Sequence, residues 1–112
     1  MNLRELLYRD FDIDFPISGE IDGSHSRENP LVIHHVDDSD TTTIERKFLE
    51  CLGIGRKVDY KIVQQALLTL GSRYIDQIKI DVATIENGEK VHYIENYYFD
   101  ITEWHGKPNG FE

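Results

Sequence analysis

The spacing of hydrophobic and polar positions changes along the chain, and each change marks an element. Around Asn87-Gly88 the pattern alternates with period two on both sides. This dipeptide is the strongest short hairpin signal, because both central residues of a type I′ turn need positive φ. A two-residue loop there pairs Glu86 with Glu89 and continues outward from that pair. One face then carries Thr84–Val91, Val82–Tyr93, Ile80–Glu95, Ile78–Tyr97, Asp76–Phe99 and Tyr74–Ile101, mostly apolar on both strands. The other face, from Ile85–Lys90 to Ile75–Asp100, is mixed. A slip of one residue would send the two apolar sets to opposite faces, so turn and pattern agree on one register. The pattern predicts a hairpin over about residues 74–86 and 89–101.

Upstream the period lengthens. Ile44, Phe48, Cys51 and Leu52 form one stripe over residues 42–52, with Thr42 and Glu45 as a capping box and Gly53 as a stop. Residues 2–9 read as a short helix capped by Asn2, with Leu3, Leu6 and Leu7 inward. A short strand follows Asn29-Pro30 over 31–36.

Residues 58–70 fit two patterns. As a helix, Asp59 caps, Val58 and Val63 staple, and Ile62, Val63, Ala66, Leu67 and Leu70 line one side. As a strand, Val58, Tyr60, Ile62, Ala66, Leu68 and Leu70 alternate, and Gly71-Ser72 turns into Tyr74. The cap, the staple and Ala66 favour the helix. Residues 16–30 read as a loop and 102–112 as a mobile tail. The fold class is α+β: an antiparallel sheet containing the long C-terminal hairpin (about 74–101), covered on one face by two or three helices.

Composition narrows the class. A chain of 112 residues makes one domain, 1–112. The single cysteine, Cys51, has no internal disulfide partner, which fits a reducing, cytoplasmic setting. Glu5 and Asp10 interrupt the apolar run that a signal peptide needs, and no stretch approaches a membrane span.

Charge changes the picture more. Residues 10–45 hold ten carboxylates (Asp10, Asp12, Asp14, Glu20, Asp22, Glu28, Asp37, Asp38, Asp40 and Glu45) against one fixed cation, Arg27. The whole net charge of −9 therefore sits in this third, and the remainder balances. Such a field attracts a basic protein and argues against nucleic acid.

The candidate chemistry divides between this field and the hairpin. In an extended conformation Asp10, Asp12 and Asp14 share one face, as a cation site or, more simply, as a solvated acidic face. Asp37-Asp38-Ser39-Asp40 precedes the 42–52 helix, but lacks the glycine of a calcium loop. His34 and His35 point to opposite faces of a strand and so do not converge on one metal, even with Cys51 and His25 in reach. Gly53-Ile54-Gly55-Arg56-Lys57 follows a helix, the wrong context for a phosphate loop. Ser24-His25-Ser26 sets hydroxyls beside an imidazole without further support. Cys51 lies on an apolar stripe and reads as core.

Glu95 and Asp76 are the exceptions on the inward face of the hairpin. A desolvated carboxyl among Tyr93, Tyr97 and Ile80, with His92 nearby, would have the raised pKa of a general acid. The alternative is that inward charges near a sheet edge guard against edge-to-edge aggregation, or pair with Arg73 or another cation. Tyr98 and Trp104, in an aromatic-rich C-terminal stretch, read as anchors for a partner.

Three functions follow. The first is a non-catalytic acidic module that binds a basic protein through Asp12, Asp14, Asp37, Asp38 and Asp40, with Tyr98 and Trp104 as anchors. In size and charge alone the chain resembles small acidic proteins that neutralise a basic partner, such as the immunity proteins of bacterial toxins. The second is a small enzyme with a pocket of Glu95, Asp76, His92 and Tyr97, or with an aspartate-held metal. The third is a homo-oligomeric structural module, such as a homodimer, that extends its sheet through an exposed hairpin edge. No cofactor is called for.

Overall fold

A computed structural model describes residues 2–20, 26–108 and 110. The elements in order are α1 (Leu3–Phe11), β1 (Ile17–Ser18), β2 (Leu31–Ile33), α2 (Thr41–Arg56), β3 (Asp59–Leu70), β4 (Arg73–Glu86), β5 (Glu89–Asp100) and a 3₁₀ turn, Thr102–Trp104. The architecture is α+β, a five-stranded sheet in the order β1-β2-β5-β4-β3 with two α-helices. The sheet is mixed rather than wholly antiparallel, because β2 runs parallel to β5.

The hairpin has the expected register, from Glu86–Glu89 to Ile75–Asp100. Asn87 (φ 51°) and Gly88 (φ 79°) both occupy the left-handed region that a type I′ turn requires. Residues 58–70 are a strand, which overturns the helix reading. The residue pattern supports both states locally. Pairing with β4 from Asp59–Ala83 to Leu70–Arg73 decides between them, since it satisfies the backbone along a whole strand edge. A bulge at Val63, between Ile62 and Gln64, absorbs the one place where the alternation fails.

The helix α2 starts earlier and ends later than the 42–52 stripe. Asp40 is its cap, accepting from the Thr43 N–H at 2.7 Å, so the Thr42–Glu45 capping box does not form. Gly53 does not stop it. The helix continues to Arg56, and a Cβ at residue 53 would lie 3.1 Å from the Tyr60 ring. The glycine therefore allows close packing of the helix against the start of β3. In α1, Asn2 is the cap as expected, but only Leu3 and Leu7 are buried and Leu6 faces out. The segment 10–14 is not extended: Asp10 ends the helix with Phe11, and Asp12 closes it in the left-handed conformation (φ 57°).

The core lies between the helices and one face of the sheet. Phe48 of α2 is fully buried and meets Phe15 and Phe99 edge to face, at centroid distances of 6.3 and 5.8 Å. Ile78, Ile80, Val82 and Tyr97 complete the sheet side. The start of the C-terminal segment, expected to be a mobile tail, packs instead. Trp104 has no exposed surface, and its indole N–H donates to the Ile33 carbonyl at 3.0 Å. His105 stacks on Tyr74 with ring centroids 4.6 Å apart.

Candidate functional site

The acidic residues do not behave as one field, because the fold gives several of them local work. Asp14 forms a two-pronged pair with Arg4, at 2.6 and 3.0 Å, and the guanidinium holds its carboxyl below the usual range. Asp10 pairs with Arg9 at 2.9 Å. Asp40 caps α2, and the Thr43 N–H holds its carboxyl low. Asp37 is highly exposed, 3.9 Å from His35, and Asp12 and Asp38 are exposed as well.

Asp14 and Asp38 nevertheless line one groove. It measures about 340 Å³, floored by Ile13, Phe15, Val36 and Ile44 and rimmed by Arg4 and Lys47. The two acidic runs, far apart in sequence, thus share a concave surface with an apolar floor.

The expected anchors are placed differently. Trp104 is sealed in the core, and Tyr98 is only 8% exposed, with its hydroxyl 3.4 Å from the Gln77 amide. Neither is available as an exposed anchor, because the sheet and the C-terminal turn use their apolar surface internally.

The hairpin carboxylates are also separated. Glu95 meets Arg56, from the last turn of α2, at 2.7 and 2.9 Å. The Tyr97 hydroxyl donates to Glu95 at 3.0 Å, and burial, then the Glu95 charge, pushes the phenol up to about 12. A carboxylate clamped by a guanidinium is a poor general acid. Asp76 lies four residues along β4 from Ile80, the partner of Glu95, or about 13 Å at the rise of a strand. It accepts from the Gln65 amide at 2.8 Å. His92 projects from the opposite face of the sheet and pairs with Asp81 at 2.9 Å. Glu95, Asp76, His92 and Tyr97 therefore do not form one pocket.

The sequence reading missed Glu45. It is fully buried in α2, and neither carboxyl oxygen has a hydrogen-bond partner among the described residues. Desolvation first, and then the neighbouring Asp76, push its carboxyl up to about 10, so the group is held as the neutral acid. Asp76 is close enough to act on it but not placed for an ordinary hydrogen bond. A signal was present: Glu45 sits three residues before Phe48 and next to Ile44, on the apolar stripe.

The two histidines of β2's C-terminal end do diverge. His35 stacks edge-on against Trp104 at 4.7 Å. His34 bridges Ser18 and Glu103, at 2.8 and 2.7 Å. Cys51 is buried in the core, and desolvation raises its thiol. Gly53 to Arg56 is helical, so no phosphate loop exists there. Ser24 and His25 lie outside the described residues.

Among the described residues, no group of three or more His, Cys, Asp or Glu side chains is placed to hold a metal ion, and no helix is long and apolar enough to cross a membrane. No protein-family model, curated protein or solved structure matches this chain.

Proposed function

We propose that the chain is a protein-binding module that docks a basic protein, in the manner of an inhibitor or immunity protein, at the groove between Asp14 and Asp38. The observation that carries this reading is that Asp14 and Asp38, one from each acidic run, line the same groove as Ile13, Phe15, Val36 and Ile44, beside Arg4 and Lys47. Lysine and arginine side chains have an aliphatic stem and a charged head, and such a groove suits both parts. Asp12, Asp37 and Asp38 are exposed and supply the long-range field, whereas Asp14 and Asp40 also hold Arg4 and the start of α2. Attraction of this kind raises the association rate and weakens with salt.

The test is affinity capture from the native cell's lysate at low and high salt, with wild type beside an Asp37→Lys, Asp38→Lys variant. Both positions are exposed, so the double variant keeps the fold. A basic protein held by the wild type at low salt, released at high salt and not held by the variant is the expected result. Equal retention by both overturns the reading.

A further inference from the structure

Ser18, His34 and Glu103 come from three separate parts of the chain and form a continuous line of hydrogen bonds. Ser18 ends β1, His34 follows β2, and Glu103 lies in the 3₁₀ turn after β5. The Ser18 hydroxyl is 2.8 Å from His34 Nε2, and His34 Nδ1 is 2.7 Å from Glu103 Oε2. The other Glu103 oxygen accepts from the His35 N–H at 3.4 Å, which restrains the carboxylate. A carboxylate only accepts, so in the neutral imidazole Nδ1 carries the ring proton and Nε2 is left to accept from Ser18. This is the order hydroxyl, imidazole, carboxylate that activates a serine.

The serine also opens onto a cavity of about 260 Å³, bounded by Asn2, Leu3, Ile17 and Gly19 as well as by His34. The cavity lies at the start of α1. The Glu5 and Leu6 N–H groups are taken by Asn2. Gly19, directly after the serine, has φ 118°, and a Cβ there would sit 3.1 Å from Leu31. A helix N-terminus lining the same cavity as the nucleophile favours the negative charge that develops on the carbonyl oxygen.

We infer that Ser18, His34 and Glu103 form a nucleophilic site that hydrolyses small carboxylic esters at the mouth of this cavity. Ser18 Oγ attacks the ester carbonyl carbon as its proton passes to His34 Nε2, and the carbonyl electron pair moves to oxygen. The oxyanion collapses, the C–O bond to the alcohol breaks, and His34 gives its proton to the departing oxygen. Water then attacks the acyl-serine, loses a proton to His34 and releases the acid, and the proton returns to Ser18. Ser18 and His34 are the catalytic residues, and Glu103 is a positioning residue that fixes the imidazole. The site does not rest on the acidic groove, so either can fail alone.

The test treats the full chain with a fluorophosphonate probe, locates the label by peptide mass spectrometry, and follows hydrolysis of p-nitrophenyl acetate. The expected label is on Ser18, is lost in Ser18→Ala, and falls about 100-fold in rate in His34→Ala. Glu103→Gln is expected to lower kcat about 10-fold with KM unchanged, which a purely structural contact would not do. Ser18→Ala removes one exposed hydroxyl and preserves the fold. Absence of label, label scattered over other hydroxyls, or hydrolysis undiminished in folded Ser18→Ala overturns the assignment.

Discussion

Asp76 and Glu95 stand on the same face of the same hairpin, yet the helix above them gives opposite solutions. Glu95 meets a guanidinium, Arg56, and remains a paired anion. Asp76 meets a second carboxyl, Glu45, which burial first and then the neighbouring Asp76 hold as the neutral acid. The spans match: Glu45 and Arg56 are eleven residues apart, about 16 Å along a helix, against about 13 Å between the two carboxylate positions on the sheet. An inward carboxylate therefore says only that something must neutralise it. Which neutralising route is used depends on the helix residue that lands above it.

The largest expected effect tests the Glu45 end. In the folded protein Glu45 keeps a proton that the unfolded chain releases above about pH 4.5. Stability from this group is therefore complete below pH 4.5 and declines as pH rises from 4.5 towards about 10. Glu45→Gln cannot ionise and keeps nearly the same size and shape. It is expected to raise stability by about 2 kcal/mol at pH 8, and by little at pH 4. Urea unfolding at the two pH values checks this, and an equal change at both would show that Glu45 is not held neutral.

The Arg56 end gives a smaller effect of the other sign. Arg56→Ala leaves Glu95 and Tyr97 without their cation, and a loss of about 1–2 kcal/mol is expected at pH 7, reduced by the partial exposure of the guanidinium. Thermal unfolding with and without 1 M salt measures it, and no loss at either salt would make the pair a surface contact only. The smallest effect sharpens the Asp76 environment. Gln65→Leu removes its amide donor and is expected to cost about 1 kcal/mol in urea unfolding.

The hairpin was legible because turn chemistry and a period of two are local and agree with each other. The Asn2 cap of α1 and the Ile44–Phe48–Cys51 stripe of α2 were visible for the same reason, although Asp40 rather than Thr42 caps α2 and Gly53 misled at its end: a glycine can serve close packing as well as termination. The segment 58–70 was not legible. Its residues satisfy a helical and an extended pattern, and only the partner strand β4 decides. The site shows the same division. That residues 10–45 are acidic, that Glu95 and Asp76 point inward, and that His34 and His35 diverge follow from composition and alternation. That Asp14 faces Arg4 while sharing a groove with Asp38, that Arg56 reaches Glu95, that Trp104 is enclosed, and that Ser18, His34 and Glu103 align was decided by tertiary structure. Periodicity sets the direction in which a side chain leaves its own element; the group it meets is set by how distant elements pack, and a single sequence carries no local signal for that.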